Sequence, residues 1–196
     1  MKLLLFGDSL TFGYGVWEKD NIETLIKFAY PQWDIINKGV NGDTTREALD
    51  RFETDVLNNY PDVVTFLFGS NDSAMGEGPY RTVYEYNLNM EIMTEQLLLK
   101  NKSAKIIYIT PPPVDETVFM PWTYNKRLEP YCNACRKLAE KYNGILVDFN
   151  QYLTDLGKNN ISQYLQEDGC HLSEKGYLAF FECINGVLKT LSEEMK

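Results

Sequence analysis

A chain of 196 residues, 44% hydrophobic and 24% charged, has the composition of a globular protein and enough length for one hydrophobic core, so a single domain over residues 1–196 is expected. Its 28 acidic against 19 basic side chains leave a formal charge of −9, without the positive footprint that nucleic acid or an anionic membrane demands. The apolar run at residues 2–6 is too short for a secretory core or a bilayer span, so the chain reads as soluble and cytoplasmic, with neither nucleic acid nor membrane as partner.

In chain order, an apolar strand over 2–6 runs into Gly7-Asp8-Ser9-Leu10. A helix over 22–29 precedes a strand over 34–37, which leads into Asn37-Lys38-Gly39-Val40-Asn41-Gly42. Thr44-Thr45-Arg46-Glu47 has capping-box spacing at the head of a helix over 45–58. A strand over 63–68 then ends at Gly69-Ser70-Asn71-Asp72. In the helix over 80–100, Val83, Tyr86, Met90, Met93 and Leu97 recur at intervals of three and four, the pattern of a core face rather than of a cofactor box. A strand over 105–109, a helix over 125–142, a strand over 145–148 and a last helix over 173–192 complete the series, with Asp168-Gly169-Cys170-His171 just before that helix. Several strands are apolar almost throughout, as strands covered on both faces are. The alternation predicts a three-layer α/β/α fold around a five-stranded parallel sheet, whose working site lies at the carboxyl ends of the strands.

Four polar, glycine-bearing segments fall on that predicted rim, and together they hold the parts of an acyl-transfer site. Each alone is an ordinary turn sequence. Acyl transfer needs a hydroxyl exposed on a sharp turn, which Ser9 after Gly7 supplies. A serine hydroxyl at its free pKa is a weak nucleophile, so a neutral imidazole must take its proton, and His171 is the sole histidine. Asp168, three residues earlier, has the spacing to orient that imidazole through its other nitrogen. The amides of Ser9 and Gly42 and the side-chain amide of Asn71 are the candidate donors to a developing oxyanion.

The same blocks resemble the SGNH-hydrolase (GDSL esterase/lipase) superfamily. Gly7-Asp8-Ser9-Leu10, Gly42 within Asn41-Gly42-Asp43-Thr44, Gly69-Ser70-Asn71-Asp72 and Asp168-Gly169-Cys170-His171 stand in family order from residue 2 to near the end of the chain. The resemblance implies a flavodoxin-like sheet, a serine esterase or acylhydrolase with Ser9, Asp168 and His171 as catalytic residues, an oxyanion hole of Ser9, Gly42 and Asn71, and a shallow site. Ile109-Thr110-Pro111-Pro112-Pro113 followed by Asp115-Glu116, with Phe68-Gly69-Ser70-Asn71-Asp72-Ser73, is similar to the isoamyl-acetate-hydrolysing esterase branch, so small carboxylic esters are the expected substrates. Cys170 departs from the apolar residue expected there, and a packed thiol is the plain reading.

Residues 117–131, carrying Phe119, Met120, Trp122, Tyr124 and Tyr131, are apolar enough to wall a pocket or form a lid, and Phe119, Met120 and Trp122 are the candidate substrate contacts. Cys132-x-x-Cys135 lacks a second ligand pair and falls inside a predicted helix, so it reads as packed thiols. No metal and no cofactor is expected, since His171 is committed to the base. A carbohydrate O-deacetylase, a lysophospholipase or a thioesterase would present the same rim. A non-catalytic binding module would be expected to lack a catalytic group, and a phosphate binder on residues 7–15 lacks a Gly-Lys-Ser/Thr motif.

Overall fold

The computed structural model describes residues 1–158 and 160–194, so residues 159, 195 and 196 of the expected domain lie outside the described residues. Five strands, β1 (Lys2–Gly7), β2 (Asp34–Gly39), β3 (Val63–Leu67), β4 (Lys105–Ile109) and β5 (Ile145–Val147), form one sheet in the order β2-β1-β3-β4-β5 with every pairing parallel. Their carboxyl ends therefore share one edge, and in register Gly7 stands between Gly39 of β2 and Leu67 of β3.

Both faces of the sheet are covered, by helices α1 (Ser9–Phe12), α2 (Ile22–Ala29), α3 (Thr45–Asp55), α4 (Val83–Lys100), α5 (Asn125–Lys141), α6 (Phe149–Leu156) and α7 (Glu174–Glu194). Strand residues alternate between the faces, which explains why the strands are apolar at successive positions. Leu3, Leu5, Val63, Ile107 and Ile109 pack with Ile22 and Ile26 of α2, Phe149 of α6, and Tyr177, Ile184 and Leu188 of α7. Leu4, Phe6, Val64, Phe66 and Tyr108 pack on the other side with Phe52 of α3, Met90 and Met93 of α4, and Leu138 of α5. None of the described helices is long and apolar enough to cross a membrane.

The expected elements are present with shifted ends. The first two strands run on to Gly7 and Gly39, because both glycines still pair in the ladder. The third stops at Leu67, ahead of Gly69 and its positive φ of 121°. The helix expected over 80–100 begins at Val83, where the Thr82 side chain accepts the amide of Glu85 at 3.1 Å. The helix expected over 45–58 ends at Asp55 and passes into a 3₁₀ turn, Leu57–Asn59. The short helices α1 and α6 were not expected. Each starts on an aspartate cap, Asp8 and Asp148, directly after a strand. The capping box of Thr44 and Glu47 is present. Cys132 and Cys135 are buried free thiols on α5, and burial pushes both up, Cys132 to about 12.

Candidate active site

The turn that carries Ser9 is fixed by its neighbours. A Cβ at Gly7 would lie 2.0 Å from the Thr11 hydroxyl and 2.7 Å from the Leu67 carbonyl oxygen, so only glycine lets β1 turn so tightly into α1. Asp8 caps α1 by accepting the Leu10 amide at 2.9 Å, and Ser9 opens the helix with a side chain reaching the cavity.

Opposite it, the loop before α7 presents Asp168 and His171. Asp168 Oδ1 accepts the amides of Cys170 and His171 at 2.9 and 3.0 Å, which curls the loop so that Oδ2 lies 2.6 Å from His171 Nδ1. Burial pulls the Asp168 carboxyl up, but the two amides and the imidazole outweigh it and hold the group below the usual carboxylate range. An ionised carboxylate can only accept, so Nδ1 carries a proton, and in the neutral ring the lone pair is then on Nε2. Nε2 lies 3.0 Å from Ser9 Oγ, within hydrogen-bond reach.

Gly42 and Asn71 reach the same place. Gly42 has a φ of 82° and open space around its missing Cβ, so the left-handed backbone, not crowding, calls for glycine. Asn71 is 6% exposed, and its Nδ2 donates to the Asp43 carbonyl at 2.9 Å and to Asp8 Oδ2 at 3.4 Å. Ser9, Gly42, Asn71, Asp168 and His171 thus line one cavity of about 440 Å³, together with Leu10, Tyr14 and Cys170. A hollow of about 520 Å³ at the amino-terminal ends of β4 and β5, lined by Lys105, Tyr142 and Glu194, has neither a serine nor a histidine in its described lining.

Three acids lie under the rim. Asp8 is 1% exposed, and burial pushes it up to about 7 against the Leu10 amide, with Asp72 and Asp43 adding to the rise. Asp72 is raised to about 6 by burial, opposed by the Thr45 hydroxyl and amide that it accepts. Arg51 on α3 bonds Asp43 at 2.6 Å and the Gly7 carbonyl at 3.0 Å, pinning the second motif to the first. Sequence reasoning missed Arg51. Its spacing of four from Asp55 was the one visible signal, and its other partners meet it only through the fold.

The apolar candidates divide. Met120 and Trp122 line the cavity, whereas Phe119 is 93% exposed and lies outside the lining. The chain there is irregular: Met120 takes a positive φ of 56° and Asp115 folds onto the Thr117 amide at 2.9 Å, so adjacent side chains point different ways. Nor is 117–131 one wall. Residues from Asn125 onward belong to α5, and Tyr131 is buried in the core.

As donors for a metal, Asp168, Cys170 and His171 have atoms within 4.8 Å of one another, the single such group among the described residues. Two of the three already bond each other at 2.6 Å, and burial, with the Asp168 charge adding, pushes the Cys170 thiol up to about 12, so the set suits a proton relay better than a cation.

The model for the GDSL-like lipase/acylhydrolase family matches residues 5–179. An isoamyl acetate-hydrolyzing esterase 1 homolog from Homo sapiens is 32% identical, covering 89% of this chain and 76% of that protein. An acetylxylan esterase from Geobacillus stearothermophilus is 26% identical, with coverages of 90% and 89%. The crystal structure of a lipase/acylhydrolase from Enterococcus faecalis superposes with a TM-score of 0.84 at 28% identity, covering 96% of this chain and 95% of that one.

Proposed function

The chain belongs to the GDSL-like lipase/acylhydrolase family and is an esterase, and on that premise we propose that it hydrolyses small carboxylic esters through an acyl-enzyme on Ser9. The observation that carries this reading is the continuous array from Ser9 Oγ to His171 Nε2 at 3.0 Å and from His171 Nδ1 to Asp168 at 2.6 Å. Ser9 Oγ attacks the ester carbonyl while Nε2 takes its proton, and Asp168 holds the tautomer and stabilises the imidazolium. The amides of Ser9 and Gly42 donate to the oxyanion, and Asn71 Nδ2 joins them by turning to it the N–H that otherwise meets Asp8 in the long 3.4 Å bond. The imidazolium then returns its proton to the leaving alcohol, and a water activated by the same base releases the acid.

The likeness to an isoamyl acetate-hydrolyzing esterase homolog supports short acyl chains and a small alcohol. A second reading, O-deacetylation of a carbohydrate, is favoured by the likeness to an acetylxylan esterase. A panel of p-nitrophenyl esters of rising acyl length, run beside acetylated xylo-oligosaccharides, separates the two. The expected order is acetyl to butyryl fastest, with long chains slow and the sugars slower than the simple acetate. Faster cleavage of palmitate than of acetate would overturn the small-ester assignment, and preference for the acetylated sugars would replace it with the second reading.

A further inference from the structure

No step of that mechanism uses Tyr14, yet its ring lies against the base. The ring centroids of Tyr14 and His171 are 4.4 Å apart, with planes tilted by 38°. Tyr14 is 44% exposed, so burial does not set its position. Its backbone does: the Tyr14 amide donates to the Ser9 carbonyl at 3.1 Å, and its carbonyl accepts Gln166 Nε2 at 2.8 Å. The same Nε2 donates to the Leu172 carbonyl at 2.9 Å, and the Gln166 amide donates to the His171 carbonyl at 2.8 Å. Gln166 therefore ties the turn that follows the nucleophile to the loop that carries the base.

We propose that Tyr14 is a positioning residue for His171: held in register by Gln166, its ring restrains the imidazole and favours the imidazolium formed as Ser9 gives up its proton. The inference rests on the reading of His171 as the base. An aromatic face carries negative quadrupole charge and attracts a cation within about 6 Å of its centroid, an effect of about two- to five-fold at a partly exposed site. Neutral imidazole gains less, so the contact strengthens as the proton arrives, which is differential stabilisation of the transition state. The other groups facing the ring are the Asp168 carboxylate at 2.6 Å, the Cys170 thiol at 3.5 Å and the Ser9 hydroxyl at 3.0 Å, with the buried Asp8 carboxyl beside Ser9 on the α1 side. Asp8 titrates near neutrality, so an activity profile alone would mix two groups.

Because His171 is the sole histidine, its ring proton resonance can be followed through pH with no assignment step. The test compares Tyr14→Leu, Tyr14→Phe and Gln166→Ala with the unaltered enzyme by this titration and by kcat and KM on p-nitrophenyl acetate. Tyr14→Leu should lower the imidazole midpoint by about 0.3–0.7 pH units and reduce kcat about two- to five-fold with little change in KM. Tyr14→Phe, which keeps the ring, should restore the midpoint, and Gln166→Ala should move it the same way as Tyr14→Leu, deciding the matter if that variant fails to fold. An unchanged midpoint in both Tyr14→Leu and Gln166→Ala would overturn the proposal, as would a change confined to KM, which would make Tyr14 a wall of the cavity. His171→Ala is run alongside: full turnover there would fell the base reading and this inference with it, whereas its inactivity beside an unmoved midpoint would fell this inference alone.

Discussion

Two stretches of the cavity rim are built in opposite ways. The segments at Gly7–Ser9, Gly42–Asp43 and Asn71 and the Asp168–His171 loop are held by backbone register, an aspartate cap and buried polar bonds, with Arg51 joining the first two. The stretch over residues 115–124 has no regular helix or strand and leaves Phe119 and Met120 93% and 77% exposed. It is tied near one end by the Asp115 amide on the Gly169 carbonyl at 2.8 Å and near the other by the Met75 amide on the Trp122 carbonyl at 3.1 Å and the Thr123 hydroxyl on the Ser73 carbonyl at 2.8 Å, with the exposed Phe119 and Met120 between. The first region is built to hold its side chains in a fixed geometry, as the proposed chemistry requires. The second can tolerate movement, as the recognition of a short apolar group allows. Changes in the first should therefore cost orders of magnitude in rate, and changes in the second should alter preference by small factors.

The largest effects fall on the array itself. Ser9→Ala and His171→Ala should each reduce kcat by about 10⁴-fold or more on p-nitrophenyl acetate, and the double variant should lose little beyond either single one, because the two act as a unit. Additive losses would break the shared-proton mechanism. The proposed chemistry predicts an acid limb in the rate, since a histidine base works only as neutral imidazole. Asp168 is held below the usual carboxylate range and stays ionised through mild acid, so the loss on acidification belongs above its titration. A flat kcat/KM profile into mild acid, in folded protein, would remove the histidine base. Asn71→Ala should cost about 10²–10³-fold in kcat, the usual loss for one oxyanion donor. Its bond to the Asp43 carbonyl makes a thermal melt the necessary control, and activity within a few-fold of the unaltered enzyme would reduce Asn71 to a loop anchor.

Asp8 tests the rigidity of the first region without reference to substrate. An exposed aspartate releases its proton near pH 4, whereas buried Asp8 holds it to about 7. The folded chain therefore binds the extra proton between those values, so this group's contribution to stability is whole below about pH 4 and is lost as pH rises to about 7. Asp72, raised to about 6, acts in the same direction. Asp8→Asn mimics the neutral acid at every pH and can still accept the Leu10 amide. It should match the unaltered protein at about pH 4 and exceed it at about pH 8 by on the order of 2–4 kcal/mol, read as a widening gap between melting curves. A gap that stays constant with pH would mean that Asp8 ionises freely.

How far each region was legible follows from what holds it. The polar rim could be read because its residues sit at strand ends, where alternating elements fix the geometry, and because their chemistry is complementary: a serine on the first turn, the sole histidine, and an aspartate three positions before it. The sheet was legible for a similar reason, since strands covered on both faces carry apolar residues at successive positions. Residues 115–124 carry no period, so nothing local said that Met120 and Trp122 would border the cavity while Phe119 would not; the left-handed backbone at Met120 separates the two neighbours. Tyr131 was misplaced for the opposite reason, because its aromaticity suggested a pocket while helical spacing put it in the core. Arg51 and the Tyr14 stack join segments far apart in the chain, and sequence spacing does not record such meetings.

The smallest effect, and the one that bears on substrate, concerns Trp122. It is 43% exposed and lines the cavity with Met120, so it offers an apolar surface without enclosing the ligand. Burying one methylene is worth about 0.8 kcal/mol when complete, and an open wall gives part of that for each of the two methylenes that distinguish butyrate from acetate. The expected preference for butyryl over acetyl esters is therefore several-fold, not orders of magnitude. Removing the indole takes away contact with the longer acyl chain while the acetyl group, held at the oxyanion site, loses little. Trp122→Ala should thus erode the butyrate-to-acetate ratio of kcat/KM about two- to five-fold and leave acetate turnover nearly intact. Phe119→Ala, outside the cavity lining, should leave the ratio unchanged. If Phe119→Ala moves the ratio as much as Trp122→Ala does, the 115–124 stretch closes over bound substrate, and the contrast between a rigid and a yielding half of the rim would have to include that closure.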